Sequence, residues 1–202
     1  MAEAVTGLIL AGGRGSRLNG ADKAALDVGG RAILARVCAA IRPLTSDVVL
    51  VVNEPPPNAP GVRLVYDPAP HAGVLPALLA GLDAAAHPLV LTLACDMPFV
   101  STDLCRRLLG RAADFDAVIS VVDGREQPLH AVYRRDACAP AIAAAIQRQD
   151  RRLISFLRDV RVDRVEESWL RALDPELRSF FNVNTPDDLT LARCIAATDE
   201  AQ

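Results

Sequence analysis

The chain has 202 residues, of which 51% are apolar and 23% charged, with a formal net charge of −3. This balance excludes wholesale disorder and gives no general attraction to nucleic acid or an anionic membrane, so any anion must be held by a local positive cluster. Five cysteines (Cys38, Cys95, Cys105, Cys138 and Cys194) without a Cys-x-x-Cys pair argue against a disulfide framework or a zinc site.

The opening Met-Ala-Glu-Ala-Val has an acid where a secretory signal would have a base, and no apolar run reaches the roughly 20 residues of a bilayer span. The expectation is one soluble, cytoplasmic domain over residues 1–202, with no membrane or nucleic-acid partner.

In chain order, Val5 to Leu10 reads as a short buried strand. It runs into Ala11-Gly12-Gly13-Arg14-Gly15-Ser16-Arg17-Leu18, followed by Asp22-Lys23. Glycines there let backbone amides close on a ligand, and such amides with flanking cations favour an anion, best of all a polyphosphate. No glycine is followed directly by lysine, so this is not a P-loop, and Leu18 stands where a dinucleotide fingerprint needs its third glycine. Of 22 basic residues, Lys23 is the only lysine. Its compact ammonium is not interchangeable with a planar guanidinium, which singles it out as functional.

A helix is expected over 32–42, buried strands over 48–52 and 62–65, a helix over 73–86 and a strand over 89–93. Ser101 reads as the N-cap of a helix through Arg111. Strands over 117–122 and 129–133 flank a polar turn, Asp123 to Gln127, and helices near 136–148 and 151–159 precede a strand near 162–166. Trp169 to Arg178 supports no assignment. Thr185-Pro186-Asp187-Asp188 is a strong helix start. Alternating strands and helices make the class α/β with a mainly parallel sheet.

Ligands of such sheets lie beyond the carboxyl ends of the strands. Asn53, Asp67 and Asp96 all follow strands, as the glycine loop does. A carboxylate in Cys95-Asp96-Met97-Pro98 suits Mg²⁺, which takes one or two carboxylates and fills its shell with water and phosphate. His71, His87 and His130 show no nucleophile or metal spacing.

Leu10-Ala11-Gly12-Gly13, Arg17, Gly20, Asp22 and Lys23 resemble the opening of the molybdenum cofactor guanylyltransferases, within the nucleotidyltransferase superfamily. The likeness continues through Asn53, Asp67, Gly73, Cys95 to Pro98, Gln127 to Ala131, Arg151-Arg152 and Asn182-Val183-Asn184-Thr185-Pro186. Leu18 stands where the family has methionine, and Gly73-Val74-Leu75-Pro76-Ala77 lacks the second glycine of the family's Gly-Pro-Leu-Ala-Gly.

The resemblance implies a three-layer Rossmann-like nucleotidyltransferase fold. It implies transfer of GMP from GTP to molybdenum-molybdopterin, with Mg²⁺ and release of pyrophosphate. On that reading Leu10, Ala11, Gly12, Gly13, Lys23, Asn53, Asp67 and Asp96 hold GTP, and Asp96 also holds the metal. Lys23, Asp96 and Arg17 are the catalytic set, and Arg151, Arg152, Asn182 and Asn184 form the acceptor side. Residues 1–100 then serve mainly GTP and 101–202 mainly the acceptor, in a monomer making transient contact with cofactor-biosynthesis proteins and molybdoenzymes. The alternatives are a cytidylyl version, a sugar-phosphate nucleotidyltransferase, or a guanine-nucleotide-binding module without catalysis. The catalytic reading requires Lys23 and Asp96 to meet in space.

Overall fold

A computed structural model describes residues 4–11, 23–54, 61–70, 72–150 and 152–200. The elements in order are β1 (Val5–Ala11), β2 (Asp27–Val28), β3 (Arg31–Ala32), α1 (Ile33–Ile41), β4 (Asp47–Val52), β5 (Arg63–Tyr66) and α2 (Leu75–Ala84). There follow β6 (Leu89–Ala94), α3 (Thr102–Gly110), β7 (Ala117–Val122), β8 (Arg125–Arg134), α4 (Arg135–Gln147), β9 (Val162–Val165), α5 (Glu167–Arg171) and α6 (Pro186–Glu200). Among the described residues, no helix is long and apolar enough to cross a membrane.

Seven strands form one sheet in the order β5-β4-β1-β6-β8-β7-β9, and β2 with β3 makes a separate small hairpin. The large sheet is parallel apart from β8, which runs against both β6 and β7. The continuous apolar strands are explained by cover on both faces. Ile9, Leu50, Leu91 and Val132 enter one core with α1, α3 and α6. Their chain neighbours Leu8, Val49, Val90 and Ala131 enter the other with α2 and α4. The period of two thus divides every central strand between two cores, giving three layers. Connections on the β1 side lead outward to β4 and β5, then return across the sheet to β6. The reversal at β1 and β6 is the switch point where a crevice opens.

Most expected elements are present, and Ser101 does cap α3 by accepting the Leu104 amide at 3.2 Å. The start of α6 is a reciprocal capping box. Thr185 Oγ1 accepts the Asp188 amide at 3.1 Å, while Asp188 Oδ2 accepts the amides of Asn184 (2.9 Å) and Thr185 (2.8 Å).

Two expectations need correction. The helix near 151–159 is a single 3₁₀ turn, Ser155–Asp159. Gln149 stands at φ 60° just after α4, and left-handed backbone there stops the helix from running on. The turn expected over 123–127 is only Asp123-Gly124, both at positive φ (50° and 68°), so β8 begins at Arg125. That is the geometry of a two-residue hairpin, which needs left-handed backbone at both positions. The unassigned 169–178 stretch overlaps α5 and reaches a 3₁₀ turn at Arg178–Phe180, and the β2–β3 hairpin was not foreseen.

Candidate active site

The crevice beyond β1 and β6 is a cavity of about 370 Å³. Leu10 and Ala11 from the end of β1 line it, as do Ala94 to Met97 after β6 and Gly73, Val74 and Ala77 around the start of α2. Lys23 enters from the 3₁₀ turn Lys23–Ala25, and Asn182 and Asn184 from the segment before α6. Gln127, Pro128 and Leu129 on β8, with Leu153, close the remaining side.

Lys23 is the centre of this arrangement. Its Nζ donates to Asp96 Oδ2 at 3.2 Å and to Asn184 Oδ1 at 2.5 Å, joining residues 73 and 161 positions away. Both charged side chains are mostly buried, with 15% (Lys23) and 17% (Asp96) of their surface exposed, so the pair is weakly screened. Backbone order supports the side chains: the Cys95 amide donates to Leu10 O (3.1 Å), and the Val183 amide to Asp96 O (2.9 Å). Asn184 is held in turn by the α6 capping box. Burial pushes the Asp188 carboxyl up, but the Asn184 and Thr185 hydrogen bonds and the Lys23 charge outweigh it and hold Asp188 below the usual range.

Asp96 Oδ1 is buried and has no hydrogen-bond partner among the described residues. An unpartnered buried carboxylate oxygen is costly unless something positive completes it. Among the described residues, no group of three or more His, Cys, Asp or Glu could hold a metal ion. A cation here would therefore depend on this one carboxylate with water and ligand oxygens, the donor set that Mg²⁺ accepts.

The other expected site residues are distributed unevenly. Asn53 follows β4 outside the cavity wall, with Oδ1 buried and unpartnered. Asp67 follows β5, and its Oδ1 accepts the Ala69 amide at 2.9 Å, which ties it to its own turn. Arg152 lines another cleft with Glu126, Asp150 and Arg158 and is not among the crevice residues, although its chain neighbour Leu153 is. Gly12, Gly13, Arg17 and Arg151 lie outside the described residues.

Sequence reasoning had quoted Gln127, Pro128 and Leu129 without giving them a role, and had missed Leu153. The available signal was Pro128: a proline directly before the strand expected over 129–133 marks a break in strand pairing. His130 is fully buried on the far side of β8, its ring 4.4 Å from that of Phe180. Burial lowers its pKa to about 4, so it is neutral near pH 7.

A family model described as a MobA-like NTP transferase domain matches residues 7–165. The chain belongs to this family. The MobA-like assignment extends to full-length relatives. A "Probable molybdenum cofactor guanylyltransferase" of Pelotomaculum thermopropionicum is 38% identical, covering 95% of this chain and 93% of the relative. A molybdenum cofactor guanylyltransferase of Desulfosudis oleivorans is 33% identical over 94% of this chain and 95% of its own length. The solved structure of molybdopterin-guanine dinucleotide biosynthesis protein A from Archaeoglobus fulgidus superposes with a TM-score of 0.80 at 28% identity. It covers 96% of this chain and 99% of that one. The resemblance first read in the glycine loop and its following lysine holds along the whole chain.

Proposed function

We propose that this MobA-like chain transfers GMP from GTP to molybdenum-molybdopterin, forming the guanine dinucleotide cofactor and releasing pyrophosphate. The observation that carries the reading is the contact of Lys23 with Asp96 and Asn184 inside the crevice at the switch point. The names of the full-length relatives point the same way.

In this reaction a phosphate oxygen of the acceptor bonds to the α-phosphorus of GTP as the bond to the bridging oxygen breaks, and that oxygen leaves on pyrophosphate. Both reactants are anions, so the protein must align them and offset charge; no protein nucleophile is needed. Lys23 suits this task. An ammonium has three donors, and two of them are engaged among the described residues, which leaves one N–H for a phosphate oxygen. Asp96 and Asn184 hold that donor in place before substrate arrives.

Asp96 is the residue that would hold Mg²⁺, through the unpartnered Oδ1. When bound, the ion would neutralise charge on phosphate oxygens. Leu10, Ala11, Gly12, Gly13, Asn53 and Asp67 hold GTP in this reading, with the loop amides and Arg17 on its phosphates. Arg151, Asn182 and Asn184 serve the acceptor, so that residues 1–100 face mainly GTP and 101–202 mainly the pterin. The reading further takes the protein as a cytoplasmic monomer that meets cofactor-biosynthesis proteins and molybdoenzymes transiently.

The test is pyrophosphate release with Mg²⁺ and molybdopterin, each nucleoside triphosphate being offered in turn. GTP should support turnover and CTP should not. Release with CTP but not GTP would refute the guanylyl assignment, and tight GTP binding without release with any acceptor would refute catalysis.

A further inference from the structure

We propose that a bulge in β8 is the wall that selects the acceptor, and that Tyr133 is its positioning residue; the proposal rests on the guanylyl-transfer reading above.

The pairing of β7 with β8 jumps from Ile119↔Ala131 to Ser120↔Gln127. Across that interval β8 has three extra residues, Pro128, Leu129 and His130, while its pairing with β6 continues up to Leu93↔His130. Proline has no N–H to give to a ladder, which is why the departure falls there. Bulges bend a strand and re-aim its side chains. Here the departure brings Gln127, Pro128 and Leu129 to the cavity that Gly73, Val74 and Ala77 also line.

The chemistry of the wall suits a flat heterocycle. Pro128, Leu129 and Leu153 offer apolar surface; the Gln127 Nε2 donates one hydrogen to Arg125 O at 3.4 Å, and its second N–H and its oxygen remain as donor and acceptor. The 2-amino-4-oxo edge of a pterin carries the complementary amide pattern, as the guanine of GTP does and a sugar phosphate does not, so the separate KM values for acceptor and GTP tell the two occupants apart.

Tyr133 is fully buried and outside the cavity lining. Its hydroxyl donates to Pro128 O at 2.7 Å. In a regular strand, positions 128 and 133 would be about 16 Å apart and on opposite faces, so this contact exists only because of the bulge. The Tyr133 ring also packs on Phe156, with centroids 5.6 Å apart. Phe156 follows Leu153 by three residues, so one side chain braces both segments of the wall.

Tyr133→Phe keeps the ring contact and removes only the hydroxyl. Losing that hydrogen bond should raise the KM for molybdopterin about tenfold, with the KM for GTP and kcat unchanged. Gln127→Ala, a substitution on the partly exposed wall itself, should raise the same KM without lowering Tm. An unchanged acceptor KM in both variants overturns the proposal, as does a parallel rise in both KM values accompanied by a drop in Tm. A wild-type protein that releases no pyrophosphate from GTP with molybdopterin refutes the guanylyl reading and takes the wall with it. An active wild type whose variants leave the acceptor KM unmoved overturns the wall alone.

Discussion

Lys23→Ala is the sharpest perturbation of the proposed chemistry. It deletes the donor that bonds Asp96 Oδ2 at 3.2 Å and Asn184 Oδ1 at 2.5 Å, and leaves the surrounding backbone intact. Removing one preorganised donor from a largely water-excluded site costs about 2.7–4 kcal/mol of transition-state stabilisation, or roughly 100- to 1000-fold in kcat. The structural loss is smaller. Hydrogen bonds involving a charged group contribute about 1.5–3 kcal/mol each, and here they are partly replaced by water because both side chains retain some exposure.

The expected result is a folded protein with a Tm only several degrees lower and turnover reduced by two to three orders of magnitude. The assay is single-turnover pyrophosphate release from GTP with saturating molybdopterin, alongside circular dichroism. Lys23→Arg should also be strongly impaired, because a planar guanidinium cannot present a third donor from the same point. Asp96→Asn combined with Lys23→Ala should cost far less than the sum of the single changes, since the two act as a unit. Near-normal turnover in Lys23→Ala would refute the electrostatic account.

Other regions give independent checks. Thr185→Ala removes the hydroxyl that accepts the Asp188 amide; it should cost about 1 kcal/mol and lower Tm by about 2–4 °C in thermal melts. Because the same box holds Asn184, turnover should also fall. For His130, burial lowers the folded pKa to about 4, below the unfolded value near 6.5, so the unfolded chain takes up the proton first as pH falls. Its contribution is complete above about pH 6.5 and is lost between there and about pH 4. His130→Leu should therefore flatten the acid side of the stability profile in urea titrations from pH 7 to 4.5. Gly81→Ala would place a methyl 2.7 Å from Leu8 Cδ2 and 3.1 Å from its Cγ. Leu8 is fully buried, so the overpacking should cost about 1–3 kcal/mol, measured by equilibrium unfolding.

Much of this protein was written locally. Continuous apolar runs such as Val48 to Val52 could be read as doubly covered strands because their period and bounds are short-range properties. The cap at Ser101 and the start at Thr185 were legible for the same reason: each depends on groups within four residues. Lys23 and Asp96 could be singled out by residue type and by position after a strand or loop. Their contact could not, because it spans 73 positions and joins the 3₁₀ turn at Lys23 to the residues after β6.

The same limit explains what was missed. The bulge in β8 depends on Pro128 being pulled out of a ladder whose partner lies on β7, and the Tyr133 hydroxyl finds Pro128 O only once that ladder has slipped. The separation of Arg152 from the crevice likewise follows from the chain leaving α4 through a left-handed residue, Gln149, into a 3₁₀ turn. Periodicity, capping and turn chemistry act over a few residues, and by themselves they determined the layers and nominated the charged pair. Register, bulges and the meeting of strand ends are set by contacts across the sheet, so only the tertiary structure decided the shape of the cavity and which side chains face it.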